Sequence, residues 1–374
     1  MSYQNRSGRM GQLVDIGVLN KPLIVNSVLL GLIGVMVLYS VAGGDFSPWA
    51  WRHAMRLAVG LLLMYAIANL DLRTLFSFSY PIYGGIFLLL IGVELFGDNN
   101  MGAQRWLDFG FVSVQPSEFM RFALIMALAR YYHTLHRDDI SQPLGLLPPV
   151  ALIGLPGLLV WGQPDLGTAL MLVASGLGVV FLAGVSMRYF MAGIVATLAA
   201  IPVAWNYLFD YQKERVLVFL DPERDPLGAG YHIIQSKIGI GSGGLFGKGL
   251  AQGTQSQLKF LPERHTDFVF AIYAEELGFV GSLMLIVLFV VLIFLIFNIA
   301  GNMRHRFSQL TTAGFGFALS IYVIVNLAMV MGLAPVVGVP LPFVSYGGTS
   351  LLTFMAGLGV VLAMERQPMA DLPK

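Results

Sequence analysis

The sequence predicts an all-α, polytopic membrane protein with about ten transmembrane helices. Hydrophobic residues make up 56% of the 374 residues, and only 11% are charged, against roughly 25% in a typical soluble domain. Apolar runs long enough to cross a bilayer also recur along the whole chain. We therefore expect a single membrane-embedded domain over residues 1–374, in which residues 1–21 form a polar cytoplasmic tail.

The transmembrane segments follow from the length of each apolar run, since a spanning helix needs about 20 apolar residues. The segments that approach or meet this requirement are residues 22–42, 53–70, 79–96, 116–132, 147–163, 166–185, 189–208, 268–297, 311–333 and 347–364.

Two of these segments are irregular. The second is the weakest, because Arg52 and Arg56 crowd its start, where long side chains can reach the interface. The eighth is too long for one crossing. We therefore expect residues 268–279 to form helical turns in the outer interface, with Glu275 and Glu276 near the level of the head groups.

The distribution of Lys and Arg predicts the orientation. When the N-terminus is placed in the cytoplasm, most of the basic residues in short loops fall on the inner side, as the positive-inside rule requires. Both termini are then cytoplasmic, and the long loop over residues 209–267, between the seventh and eighth helices, is external. The predicted outer ends carry an aromatic belt of Trp51, Trp106, Trp161 and Trp205.

Composition also excludes several kinds of function. The net charge of +1 does not favour a nucleic-acid partner. The absence of cysteine excludes disulfides, thiolate catalysis and cysteine-based metal sites.

The motif Leu261-Pro-Glu-Arg-His-Thr-Asp267 stands where the external loop returns to the membrane. Asp267 directly precedes an apolar run, which is the usual position of a helix N-cap. The alternative is a general base at an external, membrane-level site. A metal site made of Glu263, His265 and Asp267 is a weak hypothesis, because this spacing in a loop is poor ligand geometry.

Charged and aromatic residues at other predicted outer ends allow two interpretations each. Glu118 and Arg121 lie three residues apart on one helix face, so they form either a structural ion pair or the wall of a cavity in which Arg121 binds phosphate. Asp165 either caps a tight turn or contacts substrate. Trp106, beside Arg105, belongs either to the aromatic belt or to a platform for a sugar.

The glycine-rich stretch over residues 241–249 resembles a nucleotide-binding loop but lacks its essential positions. A P-loop needs Gly six residues before Lys248, where Ser242 stands, and Ser or Thr after it, where Gly249 stands. Two interpretations stay open. The loop is either mobile, or a cradle whose backbone N–H groups and lysine bind a lipid-linked pyrophosphate.

The proline-rich segment over residues 335–348 separates the last two predicted spans. It is either an ordinary surface connection or an irregular backbone at membrane depth. The second arrangement is tolerated only where protein buries the backbone or where it lines a wet cavity. It would therefore indicate a cavity that opens outward.

Together, these motifs resemble those of the SEDS family, named for shape, elongation, division and sporulation. The resemblance covers essentially the whole chain, and the motif ending at Asp267 and the segment 335–348 are similar to the rod-shape elongation branch rather than the division branch. The motifs that carry it are residues 255–267, 335–348, 115–118, 221–237 and 163–168.

The resemblance implies a peptidoglycan glycosyltransferase that polymerises lipid II at the outer face of the cytoplasmic (inner) membrane during cell elongation. It also implies a class B penicillin-binding protein and other membrane proteins of the elongation complex as partners, and lipid II and undecaprenyl-pyrophosphate-linked glycan as substrates. The family's essential aspartate falls on Asp267. Its charged pair falls on Glu118 and Arg121, although relatives usually carry lysine at the second position.

The remaining candidates for substrate contact also follow the resemblance. Trp106 matches a tryptophan of the first large outer loop, while Arg215 and Lys248 match cationic loop positions; Arg105 and Asp165 complete the set. The sequence requires no cofactor, but a divalent cation, Mg²⁺ or Mn²⁺, is compatible with the site. Two other classes of function stay open, a flippase or transporter for the same lipid and a non-catalytic scaffold of the elongation machinery.

Overall fold

The computed structural model describes residues 19–374, apart from 97–98, 101–102, 105, 109–112, 164, 209, 226–227, 258–263, 368–371 and 373–374. Long α-helices dominate, and each of the ten predicted apolar segments coincides with one of them. The all-α fold class is therefore confirmed, with two very short hairpins as the only strands in the part described. The tail over residues 1–18 lies outside the described residues.

The elements in chain order are α1 (Lys21–Val41), α2 (Trp49–Ala68), α3 (Leu72–Phe96), β1 (Asn99–Asn100), β2 (Ala103–Gln104), β3 (Leu107–Asp108), β4 (Ser113–Val114), α4 (Pro116–Thr134), α5 (Pro143–Gly162), α6 (Leu166–Leu182), α7 (Met187–Tyr207), α8 (Asp210–Leu220), α9 (Ala229–Ser242), α10 (Thr254–Gln257), α11 (Val269–Gly301), α12 (Arg306–Val330) and α13 (Gly348–Arg366). Short 3-10 turns follow α4 at Arg137–Asp139 and α8 at Pro222–Arg224. Strand β1 pairs antiparallel with β2, and β3 with β4.

Six helices among the described residues are long and apolar enough to cross a membrane, namely α1, α3, α5, α11, α12 and α13. Helices α6 and α7 contain shorter apolar stretches. The exposed faces of α7 carry large apolar side chains, as expected of a surface that contacts lipid. The number of ten crossings and the orientation stay predictions.

The helices pack around two groups of buried apolar side chains. One group joins α1, α2 and α11–α13, and the other joins α3–α6 to parts of α12 and α13. Helix α2 runs along α13, α3 along α4, and α12 contacts both α6 and α11. Because α12 touches both groups, it links the two halves of the bundle.

Helix α11 is broken near its start, at Gly278, where φ is 66° and ψ is −161°. A positive φ of this kind favours glycine, which has no side chain to clash. The break agrees with the expectation that residues 268–279 are separate from the crossing helix. Glu275 and Glu276 are only 0% and 1% exposed and lie inside the protein, while their depth relative to the head groups stays a prediction.

The glycine-rich loop supplies hydrogen-bond partners for the backbone groups that this break leaves unbonded. In a continuous helix, the N–H groups of residues 279 and 280 would bond to the carbonyls of residues 275 and 276. Here the loop supplies partners for all four groups, an arrangement that we call the splice. Its hydrogen bonds, donor first, are Phe279 to Gly244 (2.9 Å), Val280 to Leu245 (3.0 Å), Lys248 to Glu275 (3.1 Å) and Gly249 to Glu276 (2.9 Å).

The splice changes the interpretation of the loop. The backbone N–H groups of Lys248 and Gly249 bond to carbonyls of α11, so they do not form the pyrophosphate cradle that the sequence allowed. The loop is not a simple mobile connection either, because four backbone hydrogen bonds hold it against α11.

Residues 339 and 341–345 of the segment 335–348 are buried, while Gly338 is exposed, so the segment is not an ordinary surface connection. Its side chains at Val339, Leu341, Phe343 and Val344 are almost completely inaccessible. Helix α6 approaches the segment closely, because a Cβ atom at Gly167 would lie 2.1 Å from the carbonyl oxygen of Val337. This irregular backbone is therefore enclosed by protein, the condition under which it is tolerated at membrane depth.

Candidate active site

A cavity of about 800 Å³ lies where the N-terminal ends of α2, α4, α6 and α13 meet. The residues just before α11 and the segment 335–348 complete its wall. This volume is within the usual range for ligand-binding cavities. The sequence-based hypothesis of a cavity beside this segment is therefore consistent with the structure.

Asp267 lies on the wall of the cavity. Helix α11 begins at Val269 and has Phe268, not Asp267, as its N-cap residue. Oxygen Oδ2 of Asp267 lies close to Gly338, where an added Cβ atom would be 3.5 Å away. The N-cap interpretation is therefore wrong, and the carboxyl group is beside space large enough for a substrate.

Asn326, which sequence reasoning missed, fixes the backbone at this position. Its buried side chain donates from Nδ2 to the carbonyl oxygens of Asp267, at 3.0 Å, and of Val339, at 2.7 Å. One amide group thus links α12 to two segments of the cavity wall, the one that contains Asp267 and the one that contains Val339. The available signal was an isolated asparagine in the otherwise apolar second half of α12, since polar groups in such places usually have a specific role.

The chain before Asp267 is held by aromatic contacts. The ring of His265 stacks on Trp49, with centroids 4.9 Å apart, and its carbonyl oxygen accepts a hydrogen bond from the N–H of Tyr346 at 2.9 Å. Glu263, the third member of the weak metal-site hypothesis, lies outside the described residues. Within the part described, no group of three His, Asp or Glu side chains could hold a metal ion.

Glu118 and Arg121 form the predicted ion pair, with Arg121 Nη2 at 2.7 Å from Glu118 Oε2. Glu118 lines the cavity. Arg121 is 1% exposed, and its guanidinium packs on the rings of Tyr322 and Phe354 at 3.8 and 4.7 Å. Arg121 is not among the described residues that line the cavity, so it is not positioned to contact a phosphate there.

Asp165 and Trp106 also line the cavity. Asp165 caps α6 as the local sequence suggested, because its Oδ1 accepts from the N–H of Thr168 at 3.2 Å and its Oδ2 from the Thr168 hydroxyl at 2.9 Å. Its position allows it to serve as a cap and as part of the cavity wall together.

The three remaining candidates are not brought to the cavity by any described contact. Lys248 is engaged by a buried carboxylate, with Nζ at 2.6 Å from Glu275 Oε1, and does not appear among the described lining residues. Arg105 lies outside the described residues, and so does the side chain of Arg215 on α8.

Two cations that sequence reasoning did not select, Arg52 and Arg56, line the cavity. The guanidinium of Arg56 lies over the ring of Tyr346, 4.5 Å from its centroid. The sequence did contain a signal, because residues four apart on a helix share one face. We instead interpreted both side chains as reaching for the membrane interface.

Comparison with known proteins agrees with this geometry. The family model described as cell cycle protein, which joins FtsW, RodA and SpoVE, matches residues 21–369. The peptidoglycan glycosyltransferase MrdB of Escherichia coli (strain K12) is 46% identical over 344 residues, which cover 90% of this chain and 91% of that protein.

Solved structures show the same fold. A chain from a peptidoglycan synthase complex, described as coordinating polymerization and crosslinking, aligns with a TM-score of 0.83 and 34% identity, covering 95% of this chain and 99% of that chain. The rod shape determining protein RodA of Thermus thermophilus aligns with a TM-score of 0.73 and 31% identity, with the same coverage of 95% and 99%. This chain therefore belongs to the FtsW, RodA and SpoVE family, the SEDS family that its motifs indicated, and is a multi-pass membrane protein.

Proposed function

We propose that this protein is a peptidoglycan glycosyltransferase that polymerises lipid II into β-1,4-linked glycan strands during cell elongation, with Asp267 as its general base. The name of the E. coli relative, 46% identical, supports the activity. One observation carries the assignment of the site. Asp267 lies on the wall of a cavity of about 800 Å³ instead of capping the helix that follows it.

In the proposed reaction, Asp267 accepts the proton of the 4-hydroxyl group on the terminal N-acetylglucosamine of the acceptor. The oxygen attacks the anomeric carbon of the growing chain from the face opposite its undecaprenyl pyrophosphate. The bond from that carbon to the phosphate oxygen breaks, the configuration inverts, and undecaprenyl pyrophosphate leaves. General-base action of this kind contributes about 10²–10⁴-fold to a rate.

Asn326 supports this role by positioning Asp267. Because its side chain bonds to the carbonyls of Asp267 and Val339, the base and the neighbouring part of the wall keep a fixed separation. Fixed geometry matters because a misplacement of about 1 Å at a reacting group costs about 100-fold in rate.

The leaving group needs no general acid where positive groups spread the charge that develops on it. The sequence suggested Arg121, Arg215 and Lys248 for this task. Arg121 is paired with Glu118 and Lys248 with Glu275, which leaves Arg52 and Arg56 as the cations on the described cavity wall. We propose no resident cofactor; Mg²⁺ or Mn²⁺ that arrives with the pyrophosphate would share the neutralisation.

The proposal includes a location and a partner. Under the positive-inside assignment, the cavity faces the external side of the cytoplasmic (inner) membrane. A class B penicillin-binding protein would supply crosslinking there, beside other membrane proteins of the elongation complex. The similarity to a chain from a complex that coordinates polymerization and crosslinking supports this partner.

The activity is tested with purified protein, lipid II and detergent, with and without the penicillin-binding partner. We expect glycan strands, which gel electrophoresis resolves by length. A flippase or a scaffold would give no strands, because detergent leaves no membrane to flip across and a scaffold has no chemistry. Lipid II left intact by the folded protein, with the partner present, would contradict the proposed activity.

A further inference from the structure

The N-terminus of α13 is an uncapped helix end on the cavity wall. The helix begins at Gly348, its N-cap Gly347 has no side chain to offer, and its first hydrogen bond runs from the N–H of Leu351 to Gly347 at 3.0 Å. Among the described atoms, the N–H groups of residues 348–350 have no partner. Such groups give a helix N-terminus about half a positive charge.

Arg56 lies directly against this helix end. A Cβ atom at Gly348 would be only 3.0 Å from both Cζ and Nε of the Arg56 guanidinium. Stacking on Tyr346 holds the guanidinium in this position, while its Nη1 is buried and has no hydrogen-bond partner among the described atoms. A full positive charge and a partial one are therefore adjacent, an arrangement that is unfavourable unless an anion binds between them.

Ser350 adds an independent observation. Its side chain is only 6% exposed, its residue lines the cavity, and its Oγ has no hydrogen-bond partner among the described atoms. A buried hydroxyl without a partner is uncommon and costs free energy. Its position in the first turn of α13 places it beside the free N–H groups.

Three carboxylates share the described wall with this corner. Glu118 is bonded to Arg121, Asp165 accepts from Thr168 in the cap of α6, and Oδ2 of Asp267 lies beside Gly338, where a Cβ atom would be 3.5 Å away. Arg52, one helical turn before Arg56, brings a second positive charge to the same wall.

We propose that Arg56, Ser350 and the N-terminus of α13 form the subsite that binds the pyrophosphate of the polyprenyl-linked substrate. This inference rests on the proposed function, because it names the part of the substrate that this corner recognises. Helix N-termini and arginine forks are both suited to phosphate oxygens. When the glycosidic bond to the phosphate oxygen breaks, the electron pair stays on that oxygen, and the subsite stabilises the charge.

The test measures binding and needs no turnover. Undecaprenyl pyrophosphate and undecaprenyl phosphate are titrated onto the purified full-length protein in detergent, and the two dissociation constants are compared. The variants are Arg56→Gln, Arg56→Lys and Ser350→Ala. Arg188→Gln is the matched control, since Arg188 is an exposed arginine at the start of α7, away from the described cavity wall.

We expect Arg56→Gln to weaken binding of undecaprenyl pyrophosphate by about 10- to 100-fold, the usual effect of losing charged hydrogen bonds. The preference for pyrophosphate over monophosphate should shrink with it. Arg56→Lys should bind undecaprenyl pyrophosphate with an affinity between those of the unaltered protein and Arg56→Gln, because it keeps the charge but loses the planar guanidinium. Ser350→Ala should weaken binding by a smaller factor, and Arg188→Gln should bind as the unaltered protein does.

Unchanged affinity of a folded Arg56→Gln protein would overturn the subsite. Equal competition by phosphatidylglycerol would also overturn it, since the corner would then accept any anionic head group. If Arg56→Gln does not fold, Arg56→Lys and Ser350→Ala decide the question. Polymerisation of lipid II is scored separately, so a failed subsite and a failed enzyme assignment give different results.

Discussion

Two carboxylate–cation pairs on the predicted outer side of the molecule have similar geometry and different surroundings. In the first, Glu118, which lines the cavity, lies 2.7 Å from Arg121, which is buried behind it. In the second, Glu275 and Lys248 are 2.6 Å apart at the splice. We selected Glu118, Arg121 and Lys248 from the sequence as substrate contacts, yet of these three only Glu118 lines the described cavity.

The surroundings of the two carboxylates explain the difference. Glu275 also accepts from the N–H and hydroxyl of Thr254, each at 2.9 Å, and from the N–H of Gln255 at 3.1 Å. At the other pair, Nε and Nη1 of Arg121 have no hydrogen-bond partner among the described atoms. A fully bonded network is typical of a structural role, whereas buried donors without partners cost free energy.

The largest effect on stability is expected at the cavity pair. Glu118→Gln leaves the buried Arg121 cation without a counter-ion, and breaking such a pair costs about 3–5 kcal/mol. We expect a lower midpoint of thermal unfolding in detergent and lower polymerisation per folded molecule. The double variant Glu118→Gln with Arg121→Met should be less destabilised than the sum of the single variants. Strictly additive effects would show that the two side chains do not interact.

The next largest loss of stability is expected on substitution of Asn326, whose side chain links two segments of the cavity wall. Asn326→Leu keeps the number of side-chain heavy atoms but removes both donated hydrogen bonds, at about 1–3 kcal/mol for each carbonyl left without a partner. Polymerisation should fall more than stability predicts, because Asp267 is no longer held in place. Asn206→Leu is the control, since Asn206 is exposed and its described side-chain hydrogen bond is to Pro202 in its own helix. Equal losses of polymerisation in the Asn326→Leu and Asn206→Leu proteins would contradict a positioning role for Asn326.

A smaller effect is expected at the splice. Lys248→Met leaves Glu275 with its donors from Thr254 and Gln255, so it should cost about 1.5–3 kcal/mol, the value of a charged hydrogen bond. The activity of the molecules that remain folded should not change. The measurement is polymerisation normalised to folded protein from size-exclusion chromatography. A selective loss of activity would return Lys248 to the substrate site.

Much of the fold follows from the sequence because membrane-spanning helices depend on local composition. Each of the ten apolar runs coincides with a helix whose ends lie within about seven residues of those predicted, and the excessive length of residues 268–297 indicated a break in α11. The break itself depends on tertiary contacts. Gly278 could leave the helix only because the loop from α9 supplies hydrogen bonds for the groups that it exposes, and no local pattern shows that pairing.

The site was predictable where one motif carries it and not where distant segments meet. The motif ending at Asp267 and the segment 335–348 were recognised, and Thr266, Asp267 and residues 338–340 and 346–348 line the cavity. Arg56 was missed because its role depends on α13, almost 300 residues later, whose first residue packs against its guanidinium. Lys248 was selected because a cation in a glycine-rich loop resembles a phosphate site. Its partner, Glu275, is buried in the protein, and no local pattern in the sequence indicates that the two side chains meet.

The most direct test of the central claim is the rate at which an Asp267→Asn protein polymerises purified lipid II in detergent. The change preserves the shape of the side chain and removes its ability to accept a proton. The account predicts a loss of at least about 100-fold with folding and undecaprenyl pyrophosphate binding retained. A normal rate from the folded variant would contradict the role of Asp267 as general base.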